Sequence, residues 1–135
     1  MDNYNLARFI EAQRFSYDTA FKEIRNGRKE SHWVWYIFPQ LKGLGHSYNS
    51  QYYGISGREE AVAYLEHPVL GARLREISAA VLAIEGKSAV EILSRTDAVK
   101  VRSCMTLFDS ICPNDIFAKV LDKYYNGKLD RRSQL

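Results

Sequence analysis

At 135 residues with a hydrophobic content of 46%, the chain can bury one ordinary core and is too short for two. A charged fraction of 26% excludes a disordered polymer, and a net charge of only +3, with Lys and Arg scattered among Asp and Glu, gives no basic stripe for nucleic acid. Met1-Asp2-Asn3-Tyr4 lacks a signal peptide's basic and apolar regions, the longest apolar run cannot span a membrane, and Cys104 and Cys112 lack CxxC spacing, so one domain over 1–135 in a reducing cytoplasm is expected, with no metal and no cofactor.

Leu6, Phe9, Ile10 and Gln13 recur at helical spacing after Asn3 and Asn5, either of which can cap. Tyr17, Ala20, Phe21 and Ile24 continue the pattern, and Gly27 offers the left-handed stop. The first 27 residues therefore read as two helices or one bent one. Trp33 to Phe38 is apolar at every position, which periodicity cannot assign. Its aromatic and β-branched residues favour a strand, but Ser31 can cap and Pro39 can stop a two-turn helix, and only Tyr52-Tyr53-Gly54-Ile55 resembles a partner strand. Helix is the reading adopted.

Ser56-Gly57-Arg58-Glu59 has the form of a capping box ahead of Ala61, Val62 and Leu65. His67-Pro68 breaks that helix and opens another, with Leu70, Leu74, Ile77, Val81 and Ile84 on one face and Gly86 at its end. A second box, Ser88-Ala89-Val90-Glu91, opens a short helix through Ile92 and Leu93, and Thr96 caps a longer one to about Ser110. Pro113-Asn114 begins the last, with Phe117, Val120 and Leu121 inside and Gly127 as its stop. The basic run from Lys128 to Arg132 reads as part of a solvated, flexible tail over about 128–135. The sum is an all-α, compact, single-domain bundle of six to seven short-to-medium helices, not a coiled coil.

The segment Ser31-His32-Trp33-Val34-Trp35-Tyr36-Ile37-Phe38-Pro39-Gln40-Leu41, followed by Gly43-Leu44-Gly45 and Ser47, resembles the hallmark of a bacterial family termed domain of unknown function 1810, whose members are often labelled calpastatin. The resemblance runs on through Glu60-Ala61, Tyr64-Leu65, His67-Pro68, Asp97, Lys100, Ser103 and Met105-Thr106-Leu107-Phe108, and closes on Gly127 and Asp130. It implies an almost entirely α-helical fold and carries over no function. Ser94 departs from the family pattern, which tends to have Gly there; Cys104 stands where a second Ser is usual, and Ser133 where Thr is common.

Three groups of residues can carry chemistry. In the loop Gln40 to Ser47, Gly43 and Gly45 let backbone amides approach a ligand, with Lys42 and Ser47 beside them, although the spacing matches no phosphate motif and a tight turn explains it equally. His32 is a candidate general acid or base, and Trp33 and Trp35, two residues apart on a helix, cannot both face the core, so Trp35 is assigned to a pocket wall together with Tyr52. On the helix after Thr96, Asp97 falls on the same face as Val101, Cys104 and Phe108, with Lys100 at its side and Ser103 following. Asp97 either complements the helix dipole or serves as a catalytic acid. On the dipole reading, Asp97→Asn changes stability by no more than about 1 kcal/mol. Cys104 reads as core.

Two functions follow. The first is a site for an anionic small molecule, nucleotide or ADP-ribose-like, built from Trp35, Tyr52, Gln40, Ser47, Asp97 and Lys100, with hydrolysis or N-glycosidic cleavage as its chemistry if it is an enzyme. The second is a protein-interaction module anchored by exposed Tyr48, Tyr52 and Tyr53, without catalysis. The first requires the Gln40–Ser47 loop and the Asp97–Lys100–Ser103 face to line one cavity. Neither involves a membrane.

Overall fold

A computed structural model describes residues 2–135. The elements, in order, are α1 (Ala7–Arg25), α2 (Val34–Ile37), α3 (Tyr48–Tyr52), α4 (Arg58–Glu66), α5 (Leu70–Ala83), α6 (Ala89–Leu93), α7 (Arg95–Ile111), α8 (Ile116–Tyr125) and a 3-10 turn at Arg131–Ser133. Helix accounts for 64% of the chain, and the described residues contain no strand, only an isolated parallel bridge between Leu41 and Ile55. The bundle is all-α, with eight α-helices among the described residues, the short one at 48–52 being the helix that the sequence does not mark.

The core is organised on α7, which packs against α8, α6 and α4, while α5 packs against α8, α1 and α4. Val101, Cys104 and Phe108 of α7 are fully buried. An aromatic series runs through the centre: Phe9 meets Tyr64 edge-on at 5.0 Å, Tyr64 meets Phe108 at 5.6 Å, and Phe108 meets Phe117 at 5.8 Å between ring centroids. Such tilted contacts add to the area that the rings bury. Cys104 is 0% exposed and burial pushes its thiol well above the ordinary value, so slow labelling by a thiol reagent under native conditions is expected.

Several helix starts lie beside the positions that the sequence suggests. Residues 2–25 hold one helix, and its open amides, Leu6 and Ala7, donate to the Asp2 carboxylate at 2.6 and 2.8 Å rather than to Asn3 or Asn5. The amide and hydroxyl of Ser56 donate to Glu60 at 2.9 and 2.8 Å, one residue beyond the expected box partner. Asp115 caps α8, two residues after Pro113. The Ser88 box forms as read, with Ser88 Oγ accepting from the Glu91 amide and Glu91 accepting from the Ser88 amide.

The cap of α7 is Ser94, not Thr96. Its Oγ accepts from the Asp97 amide at 3.3 Å, and its backbone stands at φ 81°, ψ 162°. That region belongs to glycine, and a side chain there costs about 1–3 kcal/mol. Replacing a capping Ser by Gly loses only a few tenths of a kcal/mol, and the looser unfolded chain costs about 0.5–1 kcal/mol. Ser94→Gly is therefore expected to stabilise the protein by about 1 kcal/mol, read as a higher urea midpoint at unchanged slope; a lower midpoint would mean that the cap outweighs the strain.

The C-terminal segment, expected to be a solvated tail, is held down at Asp130 and Ser133, which are 4% and 0% exposed. Asp130 accepts from Ser103 Oγ at 2.5 Å and Ser133 Oγ at 3.1 Å, and its amide donates to Thr106 Oγ1 at 3.0 Å. Burial opposes the Asp130 charge, but hydrogen bonds from Ser103, Arg132 and Ser133 outweigh it and hold the carboxyl below its ordinary value. Residues 128–134 thus form a strap across α7.

Candidate functional site

The site starts from a buried carboxylate in α1. Glu23 accepts from the Glu30 and Ser31 amides at 2.8 and 2.9 Å, from Ser31 Oγ at 2.6 Å and from the Trp33 indole at 2.9 Å. Burial alone would raise its pKa; the four donors overcome that and bring it down to about 2. Ser31 is thereby spent on Glu23 and does not cap α2, which is a single turn. Trp33 points inward at 1% exposure, so Trp35, two residues on, faces outward, half-buried. Gln13 fixes the end of this turn by donating to the Tyr36 carbonyl at 2.7 Å.

Lys29, beside that turn, reaches across to α7. Its Nζ lies 2.7 Å from Asp97 Oδ2, with the two side chains 6% and 15% exposed. The other oxygen, Oδ1, is 3.6 Å from Lys100 Nζ, which in turn sits 4.8 Å from the centroid of the Trp35 ring. A chain of contacts therefore runs Lys29–Asp97–Lys100–Trp35, from the interior to a cavity wall.

That cavity has a volume of about 420 Å³ and is the place where α2, the following loop, α7 and the strap meet. Trp35, Gln40, Gly45 and Ser47 line one side, and Lys100 and Ser103 line the other. The loop and two of the three α7 residues, Lys100 and Ser103, thus share one cavity, while Asp97 stays outside it. Gly45 packs closely on Ser50: a β-carbon there would stand 3.0 Å from Ser50 Cβ and 2.8 Å from its hydroxyl, so the serine side chain would have to move. Gly43 serves the turn, at φ 100° with open space around it.

The remaining sequence-predicted residues are placed elsewhere. Asp97 is not on the cavity wall; it lies behind Lys100, holding it. His32, Lys42 and Gly43 are exposed and absent from the lining. Tyr52 is 42% exposed and stacks on Tyr48, with centroids 5.6 Å apart and planes 9° from parallel. His46 of the loop also lines the cavity, and so do Arg95, Thr96 and Arg132, which the sequence does not assign to the site. Arg132 is delivered by the strap, its Nε 3.2 Å from Asp130 Oδ1.

The electrostatic outcome is lopsided. Arg95, Lys100 and Arg132 face the cavity, and among the described residues no carboxylate lines it. A larger groove of about 570 Å³ between α1 and α5 has mixed charge instead, Arg25 and Lys87 against Glu76 and Glu85. No group of three or more His, Cys, Asp or Glu among the described residues has the geometry to hold a metal ion. No helix among them is long and apolar enough to cross a membrane.

No curated protein shows significant similarity to the chain. The crystal structure of the conserved hypothetical protein Rv1873 from Mycobacterium tuberculosis superposes with a TM-score of 0.94 at 46% identity, covering 96% of this chain and 94% of that one. The sequence profile of the family described as Protein of unknown function (DUF1810) matches residues 3–134. The chain belongs to that family.

Proposed function

We propose that the cavity between α2 and α7 binds a small anionic molecule carrying a flat ring, of the nucleotide or ADP-ribose class. The observation that carries this reading is the charge of the wall: Arg95, Lys100 and Arg132 converge on a space of about 420 Å³ with no carboxylate among the described lining residues. A cavity of that size is within the range of small-molecule sites, where a few polar groups stand among apolar walls. Trp35, Leu44 and Val99 supply the apolar surface, and Ser47, Ser50 and Thr96 supply hydroxyls. Arg forks and the Lys ammonium suit phosphate oxygens. Lys100 now rests against Trp35; an incoming phosphate attracts it away and frees the ring face for stacking.

Binding is better supported than hydrolysis. Asp97, the candidate acid, has both oxygens engaged by Lys29 and Lys100 and does not line the cavity. Its role in this reading is to position Lys100. A second reading keeps some support from the Tyr48–Tyr52 stack, whose rings are 75% and 42% exposed and suit a protein partner.

A thermal-shift comparison separates charge from ring. AMP, ATP and ADP-ribose are expected to raise the melting temperature saturably, with about 2.7 kcal/mol of stabilisation at a hundredfold excess over Kd. Adenosine is expected to do little, because it lacks the phosphate that the three cations address. Equal shifts with adenosine and AMP would remove the electrostatic basis, and no shift with any of them would favour the aromatic surface.

A further inference from the structure

The strap carries cations to both of its sides. While Arg132 turns to the cavity described above and pairs with Asp130, Lys128 and Arg131 border a separate hollow of about 510 Å³ whose other wall is Arg102 of α7, with Leu129 and Gln134 completing it. Three features set this hollow apart. Its three charged side chains are all positive, and no carboxylate among the described residues lines it or pairs with them. Arg102 Nε is shut off from solvent and has no hydrogen-bond partner, unlike every other side-chain nitrogen or oxygen so buried among the described residues. The strap that brings Lys128 and Arg131 to Arg102 is fixed by the buried Asp130 carboxylate, so the grouping is built into the fold.

Like charges gathered without a counter-charge repel one another, and a buried donor without an acceptor is costly. An anion with several acceptor oxygens neutralises the gathered charge, and it relieves the orphaned Nε only as the Arg102 guanidinium turns toward it. A guanidinium fork flanked by two further cations suits a phosphate group best, since it offers three oxygens and close to two negative charges near neutral pH. We propose that this hollow is a phosphate-binding site, distinct from the cavity between α2 and α7 and independent of the function assigned to it. Its ligand is either free phosphate or a small phosphate monoester.

The test is a titration of the protein with inorganic phosphate and, separately, glycerol 3-phosphate at constant ionic strength, followed by amide NMR shifts at Arg102 and residues 128–131. Saturable shifts at these amides are expected with at least one of the two, and the tighter ligand identifies the source. Lys128→Gln/Arg131→Gln, altered only at exposed side chains, and Arg102→Gln are each expected to weaken binding at least tenfold. Lys100→Gln, in the other cavity, is expected to leave it unchanged. No saturable shift with either ligand would overturn the proposal, as would full affinity in the Lys128→Gln/Arg131→Gln protein or loss of it in Lys100→Gln. Should Arg102→Gln fail to fold, the variant with both strap cations removed decides the matter alone.

Discussion

Replacing Asp97 by Ala is expected to lower the unfolding free energy by about 3–5 kcal/mol, the cost of leaving a buried charge without its partner. The charge left behind is Lys29, whose side chain is only 6% exposed and whose Nζ has Asp97 Oδ2 at 2.7 Å. Around that ammonium remain the Ser31 carbonyl, to which it donates, and the Trp33 ring at 4.8 Å, neither of which replaces a carboxylate. A lost dipole contact alone would cost no more than about 1 kcal/mol, and the Lys29 pair adds to it. Asp97→Asn, which keeps an acceptor and loses the charge, falls between the two values. Replacing Lys29 by Met in the Asp97→Ala background removes the stranded ammonium and is expected to recover most of the loss. Urea unfolding of the three proteins checks this, and a loss under about 1 kcal/mol for Asp97→Ala would mean that water reaches Lys29.

Glu23→Ala is expected to cost about 3 kcal/mol, because hydrogen bonds to a charged acceptor contribute about 1.5–3 kcal/mol and several donors lose theirs together. The Trp33 indole is buried and has no other acceptor, so it stays unsatisfied. The same residue makes stability depend on acid. Its carboxyl sits at about 2 in the folded chain against an ordinary 4.5, so its contribution is complete above about pH 5 and is lost as the pH falls toward 2. The stability gap between wild type and Glu23→Gln is therefore expected to be wide at pH 7 and narrower at pH 3. A gap that stays constant over that range would contradict the assignment of Glu23 as a charged hub.

The parts of the molecule legible in the sequence are those specified by local spacing. The Val101–Cys104–Phe108 face, the Ser88 box and the Gly27 stop each depend on residues within one or two turns. The shared cavity was also legible, because Gln40, Ser47, Lys100 and Ser103 are polar where packing alone would choose apolar groups. What escaped depends on contacts between distant segments. Arg132 joins the site only because Asp130 is drawn down by Ser103 and Thr106, and a basic run at a chain end gives no sign of that. Arg95 follows Ser94, the cap of α7, whose glycine-type backbone is signalled only by the Gly that the family tends to have there. The ion pair of Asp97 escaped as well, because Lys29 lies far away in sequence beyond a turn held by Glu23.

The central claim, that the cavity between α2 and α7 holds an anionic ring ligand, is tested most directly by calorimetric titration of ADP-ribose into wild type and into Lys100→Gln/Arg132→Gln. Both proteins should give the same helical circular dichroism spectrum, since Asp97 keeps Lys29 and Asp130 keeps Ser103 and Ser133. Saturable binding to wild type is expected, weakened at least tenfold in the variant and weakened further in both by added salt. Binding of equal strength to the two proteins, or none to wild type, would contradict the claim.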